Sequence, residues 1–555
     1  MNGQNMRTYN SLSRREFVKK SLLTVSSLAF LPSLINTSCE KKNHITGSIL
    51  NDNAKAGHLI RDGFNPRPTQ TVKIPIAIVG AGISGLTTAY YLEKNNVSDF
   101  LIFDLASKHG GNSISDSNLV SAYPWAAHYL PIVNNSNTDL IDFLKEQNVI
   151  NGFDTAGLPI YNEYYLCFDP EERLFINGQW QDGLIPNVGV PISERKEIDR
   201  FFKIVNDFKN KLGSDGKFVF DIPLCQSSKD EEYRALDKIS FETFLKQNKF
   251  TSSYLFWYLN YCCKDDYGST ITDTSAYAGL HYFCARRAKA SNADSSAILT
   301  WPEGNSFLAN KLAQPIKEKL KTSHLTLSVS LKDGKAEVIT LNVTTNECIR
   351  YLCDQVVLAT PQYINNYLLP NDLAKNRKTD GLFEYTPWMV ANITTSYLNE
   401  YNGEPLSWDN VMYHSKSLGY VNACHQHLNK DESSYVLTYY LPLVDLPIKE
   451  ARKLARERTH AEWIKDIVKD LNLAHYNIEE HITNIDIKIW GHAMIKPKMN
   501  FIFNMEKDKC KEPIENKIFF AHTDLSGVSI FEEAFSQGRE VAKQIVKIND
   551  KTTGA

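Results

Sequence analysis

The sequence lacks any cysteine or histidine spacing of the kind that holds a metal ion. Ten cysteines are spread over 555 residues without a C-x-x-C pair and without a repeating interval. Zinc sites and the disulfide frameworks of small secreted domains depend on such spacings, so neither is indicated. We therefore expect no metal site, and we expect most of the cysteines to be small buried apolar residues.

The chain also lacks an excess of charge of one sign. It carries 61 basic and 64 acidic residues, a formal net charge of -3, and no dense Lys/Arg run interleaved with aromatic residues. Nucleic acid is therefore not an expected partner. No stretch after the N-terminus reaches the ~18 apolar residues of a membrane-spanning helix. With 555 residues, the chain exceeds one small core and is expected to form two or more domains.

The N-terminus has the features of an export signal. Residues 13–20, Ser-Arg-Arg-Glu-Phe-Val-Lys-Lys, resemble the bacterial twin-arginine signal, and a modest apolar run follows from Leu22 to Ile35. This resemblance implies a signal peptide over residues 1–39 and a periplasmic protein. Lipidation of Cys39 would make it a membrane-anchored lipoprotein; Asn36 stands where a lipobox has an aliphatic residue, so both alternatives stay open. Residues 40–69 are predicted to be a polar tether.

A strand that leads into three glycines is the most informative local pattern. Residues 76–79, Ile-Ala-Ile-Val, precede a G-x-G-x-x-G motif, and a helical pattern follows. In this motif the first glycine permits a tight turn, the second lets a pyrophosphate approach the backbone, and the third lets the helix pack against the strand. The positive end of the helix then faces the diphosphate. The predicted contacts are Gly80, Gly82, Ile83, Ser84 and Gly85.

A second strand supports the dinucleotide interpretation. Residues 100–103, Phe-Leu-Ile-Phe, end in Asp104, about 20 residues after the last glycine, where a ribose hydroxyl needs an acceptor. The alternative is an ordinary glycine turn between a buried strand and a helix. Strand, spacing and acid together favour a dinucleotide site.

Eight stretches, taken in chain order, resemble the flavin amine oxidase and phytoene desaturase superfamily of FAD-dependent oxidoreductases. The 76–104 unit resembles its FAD-binding start. The later stretches that carry the resemblance are Gly110-Gly111-Asn112, Ala126-Ala127-His128-Tyr129, Pro302-Glu303-Gly304, the strand around Val329, Val356 to Pro361, Phe520 to Asp524, and Glu533 to Gly538.

The resemblance implies an α/β fold with a discontinuous architecture. A Rossmann-like FAD-binding domain, a parallel sheet with a β-meander, would use residues 70–133, 300–365 and 505–548. An α+β substrate-binding domain would use residues 134–299 and 366–504, including one amphipathic helix from Lys449 to about Leu471. The implied FAD contacts beyond the glycine motif and Asp104 are Gly111, Asn112, Ala127, Val329, Thr360, Asp524 and Ile530.

Departures from the family pattern bear on the chemistry. Asn112 replaces the arginine of a G-G-R turn, Ala126 replaces a glycine, and His522 replaces the glycine of F-A-G-D. Amine oxidases have a lysine near flavin N5, supplied by a strand of the second substrate segment. The comparable stretch here, residues 387–393, contains none. Oxidation of a simple amine is therefore in doubt.

Candidate catalytic residues come from the aromatic-rich stretches. His128 is the first candidate beside the flavin, with a structural histidine as the alternative. Trp490 and His492 are candidates for the substrate pocket, with Trp388 as an opposite wall; a core position is the alternative for each tryptophan. Two further pairs carry charge. Asp265-Asp266 is either a polar handle or a solvated turn, and Arg286-Arg287 either binds an anion or lies on the surface.

These observations predict an exported FAD-dependent oxidoreductase. A hydride would pass from a small-molecule substrate to flavin N5, and the reduced flavin would pass electrons to an acceptor such as oxygen or a quinone. The alternatives are a desaturase or isomerase acting on a hydrophobic substrate, which needs no lysine, and a non-catalytic flavoprotein. Covalent attachment of the flavin stays open.

Overall fold

The computed structural model describes residues 44–50, 53–375, 377, 379–428 and 433–553. The predicted signal peptide and Cys39 lie outside these residues. No helix in the described part of the chain is long and apolar enough to cross a membrane. The nine cysteines within the described ranges are all free thiols.

Seven strands of the described chain form the first sheet, which we call the nucleotide sheet. Its parallel part is built from continuous apolar runs buried on both faces, as expected for strands covered on either side. The longest strand of this sheet, Cys348–Leu358, pairs with the antiparallel strand Lys335–Asn342 along its first half. Along its second half it pairs with the parallel strand Ile518–Phe520. The strands, in spatial order, are Leu320–Lys321, Phe100–Phe103, Gln70–Val79, Cys348–Leu358, Lys335–Asn342 and His324–Lys332, with Ile518–Phe520 also beside Cys348–Leu358.

Eight strands from the described ranges form the second sheet, the substrate sheet. It is largely antiparallel, and its two longest strands run side by side with Trp388 opposite Trp490. The strands, in spatial order, are Ile49–Leu50, Ile482–Ile495, Tyr385–Thr395, Tyr435–Pro442, Tyr420–Asn422, Asp409–Met412, Glu172–Ile176 and Gln179–Asp182. Three two-stranded pairs are the remaining β structure of the residues described: Ser115–Ser117 with Ala122–Pro124, Tyr129–Pro131 with Ile298–Thr300, and Ile150–Phe153 with Pro159–Tyr161.

The helices cover the nucleotide sheet and form a separate apolar core over residues 198–285. That second core is rich in aromatic side chains, which bury large apolar areas. Within the described residues, the α-helices are Ala54–Arg61, Ile83–Lys94, Thr138–Glu146, Ile192–Lys209, Glu231–Arg234, Phe241–Gln247, Ser253–Tyr267, Ala276–Cys284, Ser306–Ala313, Gln362–Leu368, Asn371–Ala374, Ile448–Glu457, His460–Leu471, Met505–Lys509 and Phe531–Thr553.

Two sequence predictions need correction here. The region predicted as a tether contains the helix Ala54–Arg61 and the strand Ile49–Leu50, which pairs in parallel with Ile482–Ile495, so this edge of the substrate sheet is covered. The single helix predicted from Lys449 is two helices. Thr459 caps the second one, because its hydroxyl accepts from the backbone of Glu462 while the Glu462 carboxylate accepts from the backbone of Thr459.

The helix Phe531–Thr553 crosses the helix Ile83–Lys94 at a glycine. A Cβ atom built on Gly538 would lie 2.2 Å from the backbone oxygen of Ser84, and the Thr88 hydroxyl lies 3.1 Å from the Gly538 oxygen. The two backbones therefore touch without an intervening side chain. This contact holds the C-terminal helix against the nucleotide-binding helix.

We expect Gly538→Ala to destabilise the protein by about 2–4 kcal/mol, because the added methyl must push the two helices apart. The measurement is thermal unfolding followed by circular dichroism. Gly152→Ala is the matched control, because a Cβ there meets nothing within 4 Å. Equal melting temperatures for both variants would contradict the close approach of the helices.

Candidate active site

One cavity of about 340 Å³ collects almost all of the predicted site residues. Its walls come from the glycine turns of the nucleotide sheet, from the paired long strands of the substrate sheet, and from the segment before the C-terminal helix. The predicted residues that line it are Gly80, Gly82, Ile83, Ser84, Asp104, Gly111, Asn112, Ala127, His128, Thr360, Trp490, His492, Asp524 and Ile530.

The glycine motif has the geometry that a phosphate cradle needs. Gly80 has φ +100°, a conformation that glycine adopts at little cost, and its missing side chain leaves room for Ala359. A Cβ on Gly85 would lie 1.9 Å from the Gly80 oxygen, so Gly85 permits the packing of helix on strand. A Cβ on Gly82 would have no protein atom closer than 3.9 Å. The missing side chain of Gly82 therefore leaves open space in the cavity and is not required for packing against other protein atoms.

The second glycine turn lies directly against the first. The Gly110 N–H donates to the Ala81 oxygen at 2.8 Å, and Gly82 forms a β-bridge with Gly110. A Cβ on Gly111 would lie 3.1 Å from the Gly82 Cα. The floor of the cavity at this point is therefore bare backbone, which suits a ligand with a bulky diphosphate.

Asp104 lies where the sequence places it, at the end of the second parallel strand. Its carboxylate accepts from the Ala81 N–H at 2.6 Å and from the Ala106 N–H at 2.8 Å. Burial raises the pKa of Asp104, and these two backbone hydrogen bonds oppose that shift. Each carboxylate oxygen keeps a further lone pair for a ribose hydroxyl.

The closing motif places a second buried carboxylate in the cavity wall. Asp524 accepts from the Gln362 N–H at 2.7 Å and from the Tyr385 hydroxyl. The Asp524 N–H donates to Nδ1 of His522 at 3.2 Å, so the histidine that replaces the family glycine caps its own turn. The Thr360 hydroxyl donates to Asn365 at 2.6 Å, which fixes the end of the neighbouring strand.

Asn112 joins the two sheets. Its side-chain amide donates to the backbone oxygen of Ala493 at 2.7 Å, and its backbone carbonyl accepts from the Ala127 N–H at 3.0 Å. The family arginine at this position would bring a positive charge. Here a neutral amide ties the glycine turn to the strand Ile482–Ile495.

Two predicted contacts do not line the cavity. Gly85 lies behind the turn, where it serves packing as described above. Val329 is fully buried in the core of the nucleotide sheet, opposite Val338 of the adjacent strand.

His128 belongs to an aromatic cluster. Its ring stacks on Tyr440 with centroids 4.7 Å apart, and Nδ1 lies 3.1 Å from the Ala126 oxygen. Burial lowers the pKa of His128 to about 4, so the ring is neutral near pH 7. An Nδ1–H donating to Ala126 leaves Nε2 as an acceptor.

The tryptophans form one wall together, which corrects the prediction that Trp388 opposes Trp490. The two residues are direct cross-strand neighbours on the substrate sheet. The Trp490 indole N–H donates to the Trp125 oxygen at 2.8 Å. His492, two residues further along, stacks on Tyr363 with centroids 4.2 Å apart, and burial with the nearby Arg452 lowers its pKa to about 3.

A group of charged residues lines the same cavity and corrects two further expectations. Asp265 and Asp266 end a helix and face inward, so they are not a solvated turn. Arg286 is largely buried with its guanidinium 3.2 Å from Glu532 and 3.9 Å from Asp266, so it does not lie on the surface. Its neighbour Arg287 pairs with Asp221 at 2.9 Å. The local sequence carried no signal for this burial beyond the density of aromatics around it.

No lysine lines the cavity in the described ranges. The strand Tyr385–Thr395 presents Tyr385, Trp388 and Val390 to it instead. The lysine that the family pattern has near the flavin is therefore missing from the cavity wall as well as from the corresponding stretch of sequence. Across the same described residues, no group of three or more metal-ligating side chains is found.

Comparison with known proteins shows which folds this chain is similar to. A family profile for the NAD(P)-binding Rossmann-like domain matches residues 78–146. A lysine-specific histone demethylase 1B homolog of Caenorhabditis elegans is 29% identical over 168 residues, which are 29% of this chain and 17% of that protein. The chain thus spans about one sixth of the length of that relative.

Solved structures cover far more of the chain. A double mutant of putrescine oxidase superposes with a TM-score of 0.62 and 15% identity over 86% of this chain and 100% of that one. A CLA-producing fatty acid isomerase from P. acnes superposes with a TM-score of 0.58 and 15% identity over 85% and 98%. These superpositions confirm the predicted fold class.

Because the pKa of Asp265 is raised in the folded protein, the free energy of unfolding depends on pH. Burial and the neighbouring Asp266 raise the pKa of Asp265 to about 7, so the native state keeps a proton that the unfolded chain releases near pH 4. Native stability therefore falls as the pH rises from about 4 to 7. We expect Asp265→Asn to stabilise the protein by about 1–2 kcal/mol at pH 8 and to have little effect at pH 4, in melting curves at both pH values.

The control is Asp273→Asn, an exposed carboxylate paired with Lys496 at 2.9 Å. Its effect should be small and similar in sign at both pH values. The stability difference between Asp265→Asn and the wild type should be larger at pH 8 than at pH 4. A variant that loses stability relative to the wild type between pH 4 and pH 8 would contradict the raised pKa of Asp265.

Proposed function

We propose that this member of the FAD-dependent amine oxidase superfamily is an exported flavoenzyme that oxidises a small organic molecule by hydride transfer to the flavin. The observation that carries the proposal is the single cavity that joins a dinucleotide cradle to a wall of aromatic and charged side chains. A cofactor held in the cradle reaches that wall without crossing protein.

The residues present fit FAD. Bare glycine backbone lies where a pyrophosphate must approach, and Asp104 can accept from a ribose. Two helices point their N-termini at the cavity, one beginning at Ile83 and one at Phe531. Helix N-termini favour anionic groups and phosphate oxygens. When bound, FAD supplies the two-electron chemistry, since its flavin ring accepts a hydride from the substrate carbon.

The chain's own residues would orient the substrate and keep water out. Trp388, Trp490 and Tyr440 provide flat apolar surface, and neutral His128 offers an acceptor nitrogen. A substrate hydroxyl or amine N–H can donate to Nε2 of His128. Enclosure by these rings strengthens each polar contact made inside the cavity.

A second candidate function rests on the missing lysine. Hydride removal from a hydrophobic substrate, followed by desaturation or isomerisation, does not need that residue. The fatty acid isomerase shares the fold at 15% identity. The charged end of the cavity favours the first function, because Arg286 there is already paired with Asp266 and Glu532 and is not free to pair with a fatty acid carboxylate.

The first test is the visible absorption spectrum of the purified protein, before and after denaturation and filtration. Flavin bands in the filtrate would support non-covalent FAD, and bands retained with the protein would mean a covalent link. Bleaching by amines, alcohols or alkenes without air would then support oxidation, and peroxide formed on admitting air would mark oxygen as the acceptor. A folded, colourless protein that does not take up added FAD would overturn the proposal.

Gly82→Ala separates cofactor binding from folding. The added methyl meets no protein atom within 3.9 Å but occupies the space that the pyrophosphate needs. We expect an unchanged circular dichroism spectrum and an FAD dissociation constant at least tenfold weaker, measured by fluorescence titration of the apoprotein. Undiminished FAD affinity would contradict the position assigned to the diphosphate.

Export is proposed from the N-terminal residues, which lie outside the described structure. Replacing Arg14 and Arg15 by lysine should leave flavin-containing protein in the cytoplasm of a bacterial host, measured by cell fractionation. Cys39→Ala should release the mature chain from the membrane fraction if Cys39 is acylated. Wild-type protein that stays in the cytoplasm would contradict the export signal.

A further inference from the structure

We propose that His522 is an additional cofactor-binding residue, whose Nε2–H donates to the flavin half of the bound dinucleotide, at the ribityl chain or its phosphate. The inference rests on the proposed function, because it assigns a further contact to the same cofactor. It concerns the position where the superfamily pattern has a glycine, a residue with no side chain to offer a ligand.

His522 lies at the edge of the nucleotide sheet that also carries the glycine motif. Four neighbouring parallel strands end at this edge, in the spatial order Phe100–Phe103, Gln70–Val79, Cys348–Leu358 and Ile518–Phe520. The cavity-lining residues that follow these strands, in the same order and each within two positions of the strand end, are Asp104, Gly80, Thr360 and His522. Ligands of open α/β sheets bind outside the carboxyl ends of the strands, so all four residues face one ligand site.

The order of the strands separates the two halves of a dinucleotide laid along this edge. Neighbouring strands are about 4.8 Å apart, so three spacings place His522 about 14 Å from Asp104. Asp104 is the acceptor for the ribose next to the adenine, and the glycine motif faces the diphosphate. The part of the cofactor beyond the diphosphate, on the side of the substrate sheet, therefore passes His522.

The turn after the strand determines which ring nitrogen of His522 is available to a ligand. Nδ1 accepts from the Asp524 N–H at 3.2 Å and lies 3.1 Å from Oδ1 of the same residue. In the neutral ring an accepting Nδ1 leaves the proton on Nε2, and in the charged ring both nitrogens carry a proton. The Nε2–H donor is therefore present in either charge state.

This donor has no acceptor among the described residues. The side chain of His522 is only 23% exposed, and the ring makes no hydrogen bond there beyond the one at Nδ1. Other N–H donors of the cavity are already used. The amides of Asn112 and Asn305 donate to backbone oxygens, and Arg286 is paired with Glu532. A partly buried donor without an acceptor costs free energy, which a hydrogen bond to a cofactor oxygen would recover.

The test is calorimetric titration of the apoprotein with FAD, with thermal unfolding of the same apoprotein as the measure of folding. His522→Asn keeps a side-chain oxygen that can accept from the Asp524 N–H, but its amide is too short to reach the position of Nε2. We expect an unchanged unfolding temperature and a dissociation constant for FAD that is weaker by about tenfold.

His522→Gln tests whether the lost donor is the cause. The longer side chain can bring its amide N–H to the position of Nε2, so we expect the FAD dissociation constant to return to within about threefold of the wild type. A role limited to capping the turn would give the opposite order, because Asn is the better cap of the two.

AMP assigns the contact to one half of the cofactor, because it contains the adenosine and one phosphate but no ribityl chain. Its dissociation constant, from displacement of FAD, should agree within about twofold between the wild type and His522→Asn. His414→Asn is the matched control. His414 is exposed and lies outside the cavity lining, so this variant should match the wild type for both ligands.

An FAD affinity that is unchanged in His522→Asn would overturn the inference and leave the proposed function in place. Equal weakening of FAD and AMP would overturn it as well, since the donor would then serve the adenosine half. Weakened FAD binding that His522→Gln does not restore, together with a lowered unfolding temperature, would show a structural role only. A folded wild-type apoprotein that binds AMP but no FAD would overturn the proposed function and the inference together.

Discussion

The structure depends on the backbone contact between two glycine turns. The Gly110 N–H donates to Ala81, and Gly82 and Gly111 approach without side chains between them. This contact leaves a cavity floor that a dinucleotide can lie against. It also places Asn112 where its amide can reach the strand Ile482–Ile495, so that one short loop connects the nucleotide sheet to the substrate sheet. A side chain at Gly111 would press on the first turn, because its Cβ would lie 3.1 Å from the Gly82 Cα.

Charge is distributed unevenly along the cavity. The cradle end offers backbone N–H groups and helix N-termini, which suit an anion. The opposite end holds three acidic side chains, Asp265, Asp266 and Glu532, and one guanidinium, that of Arg286. Neutral aromatic rings and neutral His128 separate the two ends. The two ends of the cavity thus differ in the charge of the groups that line them.

The parts of the site that were predictable are those carried by short local patterns. The strand, the three glycines and Asp104 lie within thirty residues or so and need no knowledge of the rest of the chain. The break at Thr459 was also visible, since Thr-x-x-Glu is a capping box, but the continuous amphipathic pattern favoured one helix. Asp265 and Arg286 were not predictable, because burial of a charged pair depends on which distant segments fold over it. The same holds for the strand Ile49–Leu50, whose partner lies more than 430 residues away, and for the shared wall of Trp388 and Trp490.

The strand Ile518–Phe520 has a consequence for the timing of cofactor capture during synthesis. It pairs with Cys348–Leu358, and the residues that follow it, Asp524 and Ile530, complete a cavity that begins at Gly80. A ribosome must therefore produce some 450 residues after the first glycine before the last wall exists. Until then the growing chain holds an open half-site, and contacts of such long sequence separation form slowly. Enclosure of a cofactor therefore has to wait for the segment that follows Ile518.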